Sequence, residues 1–426
     1  MDERIVITGM GVITPIGDTP ENLYNSLISG VSAISRIESI DTTRVACKIG
    51  GDLGNYNCTK KIEKYKSLLT TDLYNLLSDT ARSGHFSQLL PLIAAMDAYD
   101  DAGFINNDIY ESDKRVLYFG GHNFHNKYLN DTIRAYNVDP ETIDKFAMYN
   151  SSDYSSVSLI SSFLKITGEA ITVGGACASS GIAMRQAFND LRFGNADSAL
   201  VGGGILSFSE MGYKALEMMS AISHQKYNDS PAAASRPFDK SRDGFVPAHG
   251  TGFIVLERLN DAKKRGAKIY AELVGVEYNN DGSHFSMPSK KGQVRLMERL
   301  IAKTGVIPEE IGYLNAHATS TPLGDNVEID SIKEVFGKQA YKMKVNATKS
   351  MLGHTCWTSH IVELISSIYQ MNECKLHKTI NVDEVDDGID IDICSDGNIK
   401  HNFNFFIKNS FGFGGINCCS LIKKYA

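Results

Sequence analysis

The sequence predicts an α/β protein whose sheet is covered on both faces. Short β-branched runs recur along the chain, stretches of helical period separate them, and many runs end in glycine. Ile5–Thr8 is the first run and stops at Gly9-Met10-Gly11, after which Pro20–Ser29 reads as a helix. Gln88–Ala102 carries Leu89, Leu92, Ile93 and Met96 at helical spacing and closes at Gly103, with Pro91 expected in its first turn. Val116–Phe119 and Ala170–Val173 are strands, and the second enters Gly174-Gly175-Ala176-Cys177 before a helix over Ala178–Phe193. Ser198–Val201 follows, closed by three glycines.

The second half repeats this rhythm. Gly252–Leu256 is a strand and Asp261–Gly266 a short helix; Ile269–Tyr278 is a strand and Gln293–Thr304 a helix. Tyr313–Ala316 leads to His317, with a helix over residues 326–336 beyond it. Val345–Ala347 leads to Lys349 and His354 and then to a helix over residues 359–371, and Asn404–Ser410 enters Gly412-Phe413-Gly414-Gly415. Two halves of similar texture, residues 1–256 and 257–426, suggest a duplication within one body.

Composition narrows the function. The 426 residues are 42% hydrophobic and 22% charged, as in an ordinary globular protein, and a net charge of -7 argues against general nucleic-acid binding. No stretch approaches the ~20 continuous apolar residues of a membrane span. Met1-Asp2-Glu3-Arg4 runs directly into Ile5-Val6-Ile7 without the pattern of a secretory signal, so the expected compartment is the cytoplasm. The 8 cysteines include no CxxC pair, which argues against structural zinc and for free thiols in a reducing compartment.

Cys177 stands apart because of its neighbours. Small residues around it leave room for a thioester and allow a sharp bend, and a following helix start would favour thiolate. Taken alone, the segment also fits a buried cysteine with glycines serving close packing. His317, in Asn315-Ala316-His317-Ala318-Thr319-Ser320-Thr321-Pro322, and His354, in Lys349-Ser350-Met351-Leu352-Gly353-His354, both follow strands. Strand ends are where active sites collect in α/β sheets, and two imidazoles can hold one carbonyl oxygen as it becomes an enolate. Lys349 would bias their protonation. Most of the other nine histidines, at 85, 122, 125, 224, 249, 284, 360, 377 and 401, read as structural.

Two further signals are weaker. Gly9-Met10-Gly11 invites a dinucleotide reading, but the next glycine, Gly17, has the wrong spacing, and no acidic ribose partner follows. Lys60-Lys61-Ile62-Glu63-Lys64-Tyr65-Lys66 is a basic run, either a solvated helix face or a docking patch for an acidic partner.

Taken in order, these segments resemble the elongating type II branch of the β-ketoacyl-acyl carrier protein synthases, shared by type II fatty-acid synthesis and type II polyketide ketosynthases. The resemblance runs from Arg4–Gly11 through Gly175-Ala176-Cys177-Ala178-Ser179-Ser180-Gly181. It continues through Ser235–Val246 and both histidine motifs to Asn409-Ser410-Phe411-Gly412-Phe413-Gly414-Gly415. It implies the duplicated thiolase fold, two βαβαβαββ halves in an αβαβα layered sandwich. It also implies acyl transfer to Cys177 and decarboxylative Claisen condensation with malonyl-carrier protein, with His317 and His354 holding the enolate. By the same resemblance Lys349 and Glu363 support the histidines, and the backbone of Cys177 and Phe413 forms an oxyanion hole. Phe413 gates the site, and Thr319 and Thr321 hold the phosphopantetheine arm. No tightly bound cofactor or metal is implied. The implied partners are an acyl carrier protein and either a second copy or a chain-length-factor homologue, with no nucleic acid and no membrane insertion.

The chain departs from the pattern in places. Small residues are expected after the second histidine, where Thr355-Cys356-Trp357-Thr358-Ser359-His360 stands, and an acidic residue is expected at His249. The segment from His122 to Tyr154 matches poorly. These departures favour a specialised polyketide or polyene pathway over housekeeping fatty-acid elongation. A non-catalytic chain-length subunit and a decarboxylase that does not condense are the competing readings, and the retained Cys177 with both histidines disfavours each.

Overall fold

A computed structural model describes residues 3–54, 56–82, 86–105, 107, 109–223 and 226–425. His85, His224 and the first two residues, Met1 and Asp2, lie outside the described residues. Eight elements in the first half set its frame: β1 (Ile5–Ile13), α1 (Phe86–Asp101), β2 (Arg115–Gly120), α2 (Tyr154–Leu164), β3 (Ala170–Val173), α3 (Ser179–Phe193), β4 (Ser198–Gly203) and β5 (Thr251–Arg258). The second half has β6 (Ala271–Asn280), α4 (Lys290–Thr304), β7 (Ile311–Asn315), α5 (Pro322–Phe336), β8 (Lys344–Asn346), α6 (Ser359–Asn372), β9 (Phe405–Gly412) and β10 (Ile416–Lys424). Each half therefore reads βαβαβαββ.

The strand order makes the duplication explicit. The first half is ordered β1-β5-β4-β2-β3 and the second β6-β10-β9-β7-β8, the same path in each. Pairing senses match as well: β5 is antiparallel to β1 and β4, and β10 to β6 and β9, while the outer three strands of each half run parallel. Ile5–Ile7 of β1 pairs with Ala271–Leu273 of β6 and joins the halves into one ten-stranded sheet. A division at residue 256 falls inside β5; the link between the halves begins after Arg258, with a short helix over Leu259–Lys264.

Helices cover both faces, which is why the strands read as continuous apolar runs. The nine residues of β1 are all buried. Helix α1 packs on β1 and β5 on one side, and α4 packs on β6 and β10 in the equivalent place. Helices α3 and α6 pack together between the halves. The early glycines serve this packing. They stay within β1, where a Cβ on Gly9 would lie 2.3 Å from the Ala98 carbonyl oxygen and one on Gly11 2.1 Å from that of Ala94. Helix α1 extends back to Phe86, so Pro91 lies in its interior rather than its first turn. It leaves one helical carbonyl without its amide donor.

Candidate active site

Cys177 sits on a single 3-10 turn, Ala176–Ala178, between β3 and α3. Ala176 adopts φ 47°, a left-handed conformation that costs a residue with a side chain and persists only where its surroundings enforce it. The enforcement is visible. Ser179 Oγ accepts from the Gly175 N–H at 2.9 Å and donates to the Ala176 carbonyl at 2.7 Å. Gly120, at the end of β2, lets α3 start directly above it, because a Cβ there would lie 2.4 Å from Ser180 N. Gly412, at the end of β9, allows an equally close approach, since its Cβ would lie 3.0 Å from Cys177 N.

His354 lies beyond β8 and the short helix Lys349–Leu352, with Nε2 3.0 Å from Cys177 Sγ. The Cys356 N–H donates to His354 Nδ1 at 3.3 Å, so in the neutral ring the proton is on Nε2, facing the sulfur. His317 follows β7. Its own N–H and that of Ala318 donate to the two oxygens of Glu328 on α5, at 2.9 and 2.8 Å. That carboxylate anchors a loop in which Ala318 and Ser320 have φ of 28° and 70°. The rings of His317 and His354 meet edge to face, with centroids 5.3 Å apart. The sulfur and one nitrogen of each ring all lie within 4.8 Å of one another.

Beneath this cluster lies a buried charge relay. Lys349 Nζ is 2.6 Å from Glu363 Oε1, and Lys408 Nζ is 2.6 Å from Glu363 Oε2, with all three side chains buried. Burial alone would raise the Glu363 carboxyl, but the two lysines outweigh it and hold it at about 2. Burial pushes Lys408 down to about 8. Burial and then the Lys349 charge push His354 down to about 3 and His317 well below the usual range. Both imidazoles are therefore neutral N–H donors near neutral pH. Although the trio has the spacing of a three-ligand metal site, the nearby lysine charges make it a poor cradle for a cation.

The thiol itself corrects an expectation. Burial pushes Cys177 up to about 11, even though the Lys349 charge and the N–H groups of Phe413 and Cys177 pull it down. The helix start does not overcome the loss of water, so the resting state is the thiol.

A cavity of about 320 Å³ opens onto Cys177, His317 and His354 and is lined further by Thr319, Thr321 and Phe413. Thr319 Oγ1 and Thr321 Oγ1 are 3.1 Å apart, and Phe413 is partly exposed. Cys177, His317, His354, Thr319, Thr321 and Phe413 thus line one cavity, with Lys349 and Glu363 paired nearby, whereas Lys60, Lys61 and Lys64 of the basic run lie apart from it.

The fold's identity follows from comparison. A model described as the β-ketoacyl synthase N-terminal domain matches residues 2–262, and one for the C-terminal domain of the same enzymes matches residues 270–383. The chain belongs to the β-ketoacyl synthase family. It is 32% identical over 428 residues to the 3-oxoacyl-[acyl-carrier-protein] synthase 2 of Vibrio harveyi, covering 99% of each chain. It is 32% identical over 420 residues to the chloroplastic synthase I of Arabidopsis thaliana, covering 97% of this chain and 85% of that one. Among solved structures, an ishigamide ketosynthase/chain length factor aligns over both whole chains with TM-score 0.87 and 26% identity. A β-ketoacyl synthase from Burkholderia phymatum aligns with TM-score 0.85 and 25% identity, again over both whole chains. This synthase is an acyltransferase of the condensing type with the thiolase fold, and no described helix is long and apolar enough to cross a membrane.

The basic run lies elsewhere in the synthase. Lys61 is 2.6 Å from Asp97 and Lys64 is 2.7 Å from Asp100, both acids on α1, while Lys60 is exposed; none of the three lines the Cys177 cavity. The other described histidines have local partners. His360 meets Ser410 and Ser420, His377 meets Thr348, His125 meets Ser87, His401 meets the Gly312 carbonyl, and His249 stacks on Phe208. His284 stacks on Phe285, and His122 meets Trp357 with the rings tilted. Sequence reasoning missed Glu328 and Lys408. Glu328 falls on the buried stripe of α5 with Ile329, Ile332 and Phe336, and an acid in an apolar stripe is a readable signal.

Proposed function

We propose that this synthase elongates carrier-bound acyl chains in a specialised type II polyketide or polyene pathway, with Cys177 as nucleophile. The observation that carries the catalytic reading is the 3.0 Å contact between Cys177 Sγ and His354 Nε2, with His317 beside it, at the base of the cavity. The Cys177 sulfur attacks the acyl thioester, and its proton passes to the carrier's thiolate as that thiolate leaves. Malonyl-carrier protein then enters along Thr319 and Thr321. As carbon dioxide leaves, the C–C electron pair forms an enolate whose oxygen accepts from the N–H groups of His317 and His354. The enolate carbon attacks the acyl-Cys177 carbonyl, and the backbone N–H groups of Cys177 and Phe413 hold the resulting oxyanion. Collapse releases the Cys177 thiolate and the lengthened β-ketoacyl chain. Lys349 and Glu363 fix the charge around the histidines. The chemistry uses no tightly bound cofactor.

A paired assembly, either two copies or one copy with a chain-length-factor homologue, is supported by the outer edge of β3, which among the described residues pairs only with β2. Exposed Ile171 lies on that strand, and exposed Ile133, Val138, Phe146 and Met148 lie in the 122–154 segment that precedes it. The solved ketosynthase/chain length factor relative supports the same reading. The two duplicated halves, expected to divide at residue 256, are proposed to divide just beyond it, after Arg258 at the end of β5. Lys60, Lys61 and Lys64 are at most a secondary docking patch, since two of them are already paired.

The test is intact-mass analysis after incubation with an acyl-carrier thioester. A single acyl adduct mapped to Cys177, converted to β-ketoacyl product when malonyl-carrier protein is added, is the expected result. An unmodified Cys177 would favour a non-catalytic chain-length subunit. A strict homodimer that elongates saturated chains would return the synthase to fatty-acid elongation.

A further inference from the structure

Lys408 is a buried charge that the proposed reaction leaves without a role. It lies on β9 with its side chain wholly buried, and it does not line the cavity that opens onto Cys177. An ammonium group held away from water is costly unless it is paired, and Lys408 is joined to two acids. The first connection is the ion pair to Glu363 Oε2 at 2.6 Å. The other oxygen of that acid lies 2.6 Å from Lys349 Nζ and accepts from Ser359 Oγ at 2.8 Å. Lys349 opens the short helix that leads into His354, so this connection ends beneath His354. The second is a hydrogen bond from Lys408 Nζ to the backbone carbonyl of Asn409. Asn409 Nδ2 donates to Glu328 Oε1 at 3.1 Å, and the same oxygen accepts from the His317 N–H at 2.9 Å. This connection ends at His317. One lysine outside the cavity is therefore tied to the supports of both histidines.

Its charge also falls where one half-reaction needs it. Burial first, and then nearby positive charges that include Lys349 and Lys408, keep the rings of His317 and His354 neutral. Burial dominates at the Cys177 thiol too, but the side-chain charges acting there are those of Lys349 and Glu363. In the proposed reaction, decarboxylation builds negative charge on the oxygen between the two imidazoles. Acyl transfer builds it instead at the backbone N–H groups of Cys177 and Phe413.

We infer that Lys408 is a positioning residue for decarboxylation. Its ammonium group ties the two histidine supports together and supplies positive charge behind the imidazoles as the enolate forms. Acyl transfer to Cys177 depends on it far less. This rests on the condensing reading proposed above and goes beyond it, because it separates the two half-reactions at a residue outside the cavity.

The test is Lys408→Met, with carbon dioxide release from malonyl-carrier protein and acyl uptake at Cys177 measured separately near neutral pH. Release is expected to fall about tenfold, less than the loss of a direct donor would cause, while uptake stays within about twofold of wild type. A pH profile separates the charge from the packing. Lys408 is faced by Glu363 and His360 from α6, Glu328 from α5, Lys349, the imidazoles of His317 and His354, and Cys418 from β10. Burial lowers Lys408 to about 8 in this company, so its charge is present below that pH and fades above it. Wild-type release should therefore decline relative to that of Lys408→Met as pH rises from roughly 7.5 to 9.5. Equal losses in release and uptake, no loss in release, or a ratio of wild type to variant that is constant with pH would overturn the inference while leaving the condensing reading intact. A wild-type enzyme that releases no carbon dioxide from malonyl-carrier protein would overturn both. Lys408→Gln, read in the same way, stands in if the methionine variant does not fold.

Discussion

Lys408 Nζ reaches Glu363 Oε2 at 2.6 Å from a strand on the far side of the carboxylate from Lys349, so one buried acid serves two buried lysines. The cluster carries one excess positive charge. Removing Lys408 leaves a matched pair, whereas removing the Glu363 charge leaves two lysines facing each other. Glu363→Gln should therefore destabilise the protein by about 3–5 kcal/mol, the usual cost of stranding a buried charge, and Lys408→Met by much less. Adding Lys408→Met to Glu363→Gln should recover part of the loss. Urea denaturation of all three variants checks this, and a double variant that is simply additive would refute the coupling.

The same lysine predicts a pH effect. Its folded value of about 8 lies below the usual lysine range, so between roughly pH 8 and 10 the unfolded chain binds more protons than the folded one at this position. The contribution of Lys408 to stability therefore rises with pH across that window and is lost as pH falls through it. Wild-type Tm should improve relative to Lys408→Met between pH 7.5 and 9.5. A constant Tm difference would show that Lys408 does not titrate there.

Much of this site was legible from sequence because it is written locally. Gly174-Gly175-Ala176-Cys177 follows a β-branched strand, and each histidine follows its own strand, so the three segments announced themselves before any contact was known. Lys408 did not, because the acid that explains a lysine between Ile407 and Asn409 lies on another element, α6. Strand β10 was also missed: Ile416–Lys424 mixes polar residues and two cysteines without period, and its identity comes from pairing with β6 and β9. Gly9 and Gly11 look like a phosphate loop in isolation; the helix pressed against them gives their actual use.

Cys177 makes a reactivity prediction. Burial lifts its thiol to about 11, so the thiolate fraction should rise about tenfold per pH unit through the neutral and mildly alkaline range. Iodoacetamide labelling of the Cys177 peptide, followed by mass spectrometry from pH 7 to pH 9.5, should climb without levelling. A plateau below pH 9 would mean that the site stabilises thiolate more strongly than its burial opposes it.

On the proposed roles, variants of the two histidines should separate the two half-reactions. His354 and His317 stay neutral because burial, reinforced by Lys349, lowers both, so they can act as N–H donors across the neutral range. Replacing one oxyanion donor typically costs about 10²–10³ in rate. His317→Ala should therefore slow carbon dioxide release from malonyl-carrier protein by about that factor while Cys177 still takes up an acyl chain. His354→Ala should slow both steps, because Nε2 also contacts the Cys177 sulfur at 3.0 Å. Acyl uptake by intact mass and decarboxylation by labelled carbon dioxide measure the steps independently. Equal losses in both steps for His317→Ala would place that histidine in nucleophile activation instead of enolate stabilisation.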